Sequence, residues 1–119
     1  MIHEEICTYN VCKLAKEKGF NVPTFGYYRI DTEDWYRTDV YDDWNDSTIR
    51  YSAPTQSLLQ KWLREEKGLH ITVPFDNNEF WWQIKNLATK DVAYGEALAY
   101  STYELALEDA LKYALENLV

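Results

Sequence analysis

Residues 53–85 read APTQSLLQKWLREEKGLHITVPFDNNEFWWQIK, and a change of period inside them decides the fold. In the first half, Leu58, Leu59, Trp62 and Leu63 recur at the spacing of one helix face, while Lys61, Arg64 and Glu65 take the opposite face. Pro54 and Thr55 mark a start and Gly68 an end, so the spacing predicts a helix over 53–68. From Leu69 the period drops to two: Leu69, Ile71, Val73 and Phe75 alternate with His70, Thr72 and Pro74. Asp76-Asn77-Asn78-Glu79 supplies a turn, after which Phe80, Trp82 and Ile84 alternate with Trp81, Gln83 and Lys85. The result is an antiparallel hairpin with one apolar face. Pro74 has no N–H to donate, which places it near the end or edge of its strand.

The flanks extend this pattern. Thr8 is placed to cap a helix with Val11, Leu14 and Ala15 on its apolar stripe, Lys16 and Lys18 at its negative end and Gly19 as its stop. Phe20 then stands where a residue after a glycine cap folds back on the last turn. Phe25 to Ile30 reads as a strand, and Trp35 to Tyr41 as its hairpin partner across a turn at Asp31 to Asp34. Val92 to Tyr100 adds a short strand. Ser101-Thr102-Tyr103-Glu104 has the spacing of a capping box, opening a last helix with Tyr103, Leu107, Ala110, Leu111, Ala114 and Leu118 inward and Glu108 paired to Lys112. The class is α+β: three helices packed on one face of a small antiparallel sheet of about three to five strands, in a single domain over 1–119. The other face of the sheet, carrying Trp81 and some tyrosines, meets water or a partner.

Composition narrows the function. Hydrophobic residues at 46% with four glycines and three prolines describe a globular chain, and its 119 residues suffice for one core. Cys7 and Cys12 lie five residues apart in a partly helical stretch, poor geometry for a disulfide, and are read as free thiols. No apolar run approaches the ~20 residues of a membrane span and no leader is visible, so a cytoplasmic protein is expected.

The charge is concentrated. Residues 31–46 hold seven acids, one arginine and four large aromatics, and contribute minus six to a chain net of minus eight. This acidity disfavours nucleic-acid binding, since phosphate contacts need clustered Lys and Arg. The second half has the helix, strands, helix order of a double-stranded RNA-binding domain, but Tyr103, Glu104, Glu108 and Asp109 stand where its last helix needs bases. Asp39, Asp42, Asp43, Asn45 and Asp46 are oxygen ligands without the glycine or the spacing of a calcium loop. Cys7, Cys12, His3 and His70 lack zinc spacing and form no nucleophile and base pattern. No metal, cofactor or enzymatic activity is therefore expected.

Three strings carry a resemblance: Val11-Cys12-Lys13-Leu14-Ala15-Lys16-Glu17-Lys18-Gly19-Phe20, then residues 51–65 (YSAPTQSLLQKWLRE), and Ser101-Thr102-Tyr103-Glu104-Leu105-Ala106-Leu107. The chain resembles a group of short uncharacterised proteins of prophages and mobile elements in gut bacteria such as Bacteroides. The resemblance covers most of the length and implies a phage-related origin; it brings no activity and no site residues.

What remains is a protein-binding expectation. Trp35, Tyr36, Asp39, Tyr41, Asp42, Asp43, Trp44, Asp46 and Trp81 are the candidate partner-binding residues, with acids steering a basic protein and aromatics supplying contact area. Mimicry of a DNA phosphate row is one specific form of this. The alternative is a small-ligand or carbohydrate module that stacks its ligand on Trp35, Trp44 and Trp81. Homodimerisation through a sheet edge or aromatic face is a third use of the same surface.

Overall fold

The computed structural model describes residues 3–95 and 99–119. The chain divides into two compact units, Met1–Thr55 and Gln56–Val119. In the first, helix α1 (Tyr9–Glu17) starts at Thr8, whose hydroxyl accepts from the Val11 N–H as expected. It stops at Gly19, where φ is +91°. Gly19 N–H bonds to Lys16 O and Phe20 N–H to Ala15 O, which turns Phe20 back into the core.

Strands β1 (Thr24–Arg29), β2 (Trp35–Asp42) and β3 (Arg50–Ser52) form an antiparallel sheet in the order β2-β1-β3. The β1–β2 hairpin turns through Asp31–Asp34, with Glu33 at φ +60° and its N–H on Arg29 O. Arg29 closes the turn by holding both Asp31 oxygens, at 3.0 and 2.7 Å. Helix α1 covers one face of this sheet. Tyr9 meets Tyr28 edge-on at 5.8 Å and Tyr51 at 5.4 Å, and the Tyr28 hydroxyl donates to Cys7 O. Cys7, Val11, Cys12, Ala15, Phe20 and Ala53 are buried beneath it, both cysteines as free thiols.

In the second unit, helix α2 (Gln56–Lys67) begins three residues later than its sequence pattern suggests. Residues 53–55 stay extended because Pro54 O accepts the Cys7 N–H and Thr55 bridges Ile6. Strands β4 (Leu69–Thr72), β5 (Phe75–Asp76), β6 (Glu79–Phe80), β7 (Gln83–Asn86) and β8 (Val92–Tyr94) follow, then helix α3 (Tyr103–Asn117). They make a three-stranded antiparallel sheet, β4-β7-β8, and the two-stranded β5-β6. Both helices pack on the face carrying Leu69, Ile71 and Ile84. The α+β class with three helices is thus what the chain adopts, its strands shared among small sheets of two or three.

Four details differ from the sequence reading. The run Leu69–Phe75 is not one strand: it breaks at Val73–Pro74, where proline offers no donor, and Phe75 ends 58% exposed against the Phe80 ring rather than inward. The expected turn is in place, with Asn77 and Asn78 both at positive φ. Of the stretch Val92–Tyr100, Val92–Tyr94 is strand and Tyr100 bridges Phe80, while 96–98 lie outside the described residues. Helix α3 is capped by Thr102, not Ser101. Its buried face is Ala106, Leu107, Ala110, Leu111, Ala114 and Leu115; Tyr103 and Leu118, at its two ends, are each 39% exposed. Lys112 and Glu116 form an ion pair at 3.9 Å on this helix, and Glu108 accepts from Gln56.

Candidate functional site

The register of the first sheet sorts the aromatic residues onto two faces. Tyr28 pairs with Trp35 and Tyr51, whereas Tyr27 pairs with Tyr36 and Ser52. Successive strand residues point to opposite faces, so Tyr28, Trp35 and Tyr51 share the α1 face, and Tyr27 and Tyr36 lie on the far face. Gly26 also belongs to the α1 face. Its missing side chain leaves room for the Trp35 indole, which lies 2.8 Å from where a Cβ would stand.

The far face is an aromatic surface. The Tyr27 and Tyr36 rings stack at 5.5 Å with 24° between planes, and Trp44 approaches Tyr27 at 4.9 Å. Beyond a bulge in the pairing between Thr24 and Gly26, Phe25 and Tyr41 meet at 4.7 Å. Trp44 sits in a short 3-10 turn, Trp44–Asp46, where its indole N–H donates to Thr24 O. Asp43 caps that turn by accepting from the Asn45 N–H. The Arg50 guanidinium lies over the Tyr27 ring at 4.8 Å and over Trp44 at 5.5 Å. Such a cation on ring faces is attracted by their quadrupoles, and here it fixes Arg50 against the aromatic floor.

Phe25, Tyr36 and Tyr41 remain 49%, 39% and 55% exposed. Asp39, Asp42 and Asp46 are exposed and Asp43 half-buried; Asp42, opposite Thr24, points to the other face from Tyr41. Two arginines share this face: Arg50 is held by rings, and Arg29, opposite Arg50 in the register, is held by the Asp31 carboxylate.

Of the residues singled out from sequence, Tyr36, Tyr41 and Trp44 come together on this face, with Asp42, Asp43 and Asp46 near its end and Asp39 in the irregular stretch of β2. Trp35 lies on the opposite face, 43% exposed, and Trp81 belongs to the second unit. A platform built from Trp35 and Trp44 together is not what the sheet presents. Phe25, Tyr27 and Arg50 were missed. The alternation of Phe25 and Tyr27 about Gly26 was a usable signal for the first two; Arg50 reaches the site through β3, which no sequence pattern announced.

A second aromatic region lies in the second unit. Trp81 and Tyr94 stand 6.1 Å apart on the wall of an open cleft of about 390 Å³, with Asp76, Glu79 and Phe80. Nearby, Tyr100 donates to Asp109. Burial, and then that hydrogen bond, push its hydroxyl up to about 12. Among the described residues no group of three or more His, Cys, Asp or Glu side chains is arranged to hold a metal ion, and no helix is long and apolar enough to cross a membrane.

No family model, curated protein or solved structure matches the chain.

Proposed function

We propose that the chain is a non-enzymatic interaction protein of phage or mobile-element origin, and that the far face of its first sheet binds a basic surface on a partner protein. One observation carries this reading: Phe25, Tyr27, Tyr36, Tyr41, Trp44 and Arg50 gather on one sheet face, while α1 lies on the other. Tyrosine, tryptophan and arginine are the residues that concentrate binding energy at protein interfaces. The seven acids of 31–46 supply the steering field for a cationic partner, and exclude a nucleic-acid backbone by the same field. Titration of tryptophan fluorescence with lysine-rich peptides tests it: saturable binding that weakens with added salt is expected, and a flat response at low salt removes the proposal.

The cleft beside Trp81 and Tyr94 favours a second reading, a module for a small hydroxyl-rich ligand stacked on those rings, with Asp76 and Glu79 as acceptors. A sugar panel would quench or shift tryptophan emission without salt dependence; silence across the panel rejects it.

A further inference from the structure

The two edges of the first sheet differ in how their backbone groups are used. Between β1 and β3 the hydrogen bonds run through Ile30 N to Ile49 O and Ala53 N to Gly26 O, and by alternation through Tyr28 and Tyr51. Arg50 and Ser52 therefore aim their N–H and C=O groups away from β1. Side chains occupy that edge: Lys16 Nζ donates to Arg50 O at 3.2 Å and to Ser47 O, and Asn45 Oδ1 accepts the Ser52 N–H at 2.8 Å. The β3 edge is closed.

The β2 edge is open. Its inward pairs are Arg29 with Asp34, seen as Arg29 N to Asp34 O at 3.0 Å, and by alternation Tyr27 with Tyr36. Trp35 and Arg37 consequently aim their backbone groups outward, and β2 is the last strand of its sheet. Past Arg37 the edge loses regularity. The register jumps from Arg37 opposite Gly26 to Asp42 opposite Thr24, and the Thr38 hydroxyl bonds to both Val40 N–H and Val40 O. A regular edge is thus offered over Trp35–Arg37 and an acidic, irregular one over 38–42.

An unpaired strand edge is a template for strand addition, and charge selects what can use it. A second copy aligned on β2 would bring its own seven acids against these, so self-pairing is opposed. A lysine- or arginine-bearing strand meets the opposite field. We propose that β2 accepts an extended basic segment of a partner protein as a fourth strand, with main-chain bonds to Trp35 and Arg37 and cationic side chains against Asp39 and Asp42. This rests on the protein-binding reading above and adds the mode of engagement.

The test uses the full chain and a synthetic peptide of alternating lysine and valine, with binding followed by tryptophan fluorescence and amide exchange by NMR. Strand addition predicts that the Trp35 and Arg37 amides slow by roughly tenfold or more on saturation, while the Tyr36 amide, already bonded to β1, changes little. The same peptide with every backbone amide N-methylated should lose its affinity. Saturable binding of both peptides without slowing at Trp35 and Arg37 overturns strand addition and leaves the aromatic face as the contact. No saturable binding of either peptide overturns both readings.

Discussion

Asn45→Ala is expected to destabilise the first unit far more than its half-buried surface position suggests. The Asn45 side chain donates to Phe20 O at 2.8 Å and accepts from the Ser52 N–H at 2.8 Å, while its own N–H bonds to the Ser52 hydroxyl. Ser52 is fully buried. Truncation leaves the buried Ser52 N–H without its acceptor and removes the donor to Phe20 O. A buried polar group left unsatisfied costs about 1–3 kcal/mol, and because Asn45 is half-buried, water can reach part of the gap. Taking the middle of that range for the Ser52 N–H alone gives about 2 kcal/mol. With a urea slope of about 1 kcal/mol/M for a small domain, the midpoint should fall by about 2 M. The assay is urea unfolding read from NMR amide signals of the first unit, since tryptophans of both units contribute to fluorescence. Asn45→Asp keeps an acceptor for Ser52 but loses the donor to Phe20, so it should fall between wild type and alanine. A loss below about 0.5 kcal/mol for Asn45→Ala, the level of an ordinary surface change, would show that this side chain does not secure the β3 edge.

Other positions give sharper contrasts. Gly95→Ala places a Cβ 2.6 Å from Nε1 of the buried Trp82 ring and should cost about 1–3 kcal/mol by thermal or urea unfolding. Gly26→Ala meets the exposed Trp35 ring at 2.8 Å, which can swing outward; the expected result is a smaller stability loss with red-shifted tryptophan emission. Thr102→Ala should cost about 1 kcal/mol as the cap of α3, and Ser101→Ala much less, the reverse of what the serine-first capping pattern implies. Tyr100 has a folded pKa near 12, above the ordinary tyrosine value, so its contribution to stability is complete below the unfolded value of about 10 and is lost as pH rises through the folded value. Phenolate absorbance should show a late-titrating step that disappears in Tyr100→Phe.

The period-two run at Leu69–Thr72 and Gln83–Asn86 was legible because half-buried strands alternate, and Ile71 does pair with Ile84. The break at Val73–Pro74 was only partly so: proline signalled a strand end, but the apolar alternation carried the reading on to Phe75. Helix α3 was legible in place and extent, while Tyr103 and Leu118 were misassigned because periodicity says nothing about how exposed a helix end remains. At the candidate site, charge drew attention to 31–46 and the hairpin through it is present. Its working face was hidden, since a residue's face depends on pairing register and the bulge near Thr24 shifts that register. That is why Trp35 was grouped with Tyr36, and why Arg50, brought in by a three-residue strand, was not foreseen.

The acids of residues 31–46 decide between a binding surface and a solvated hairpin. Converting Asp39, Asp42, Asp43 and Asp46 to asparagine removes four charges while keeping oxygens that can accept the local N–H bonds Asp42 and Asp43 make. The measurement is the affinity of the lysine–valine peptide for this variant and for wild type, at low and at high salt. The variant should bind roughly tenfold or more weakly at low salt, and the two affinities should converge at high salt. Equal affinity at low salt, with the variant folded by its amide spectrum, would contradict this.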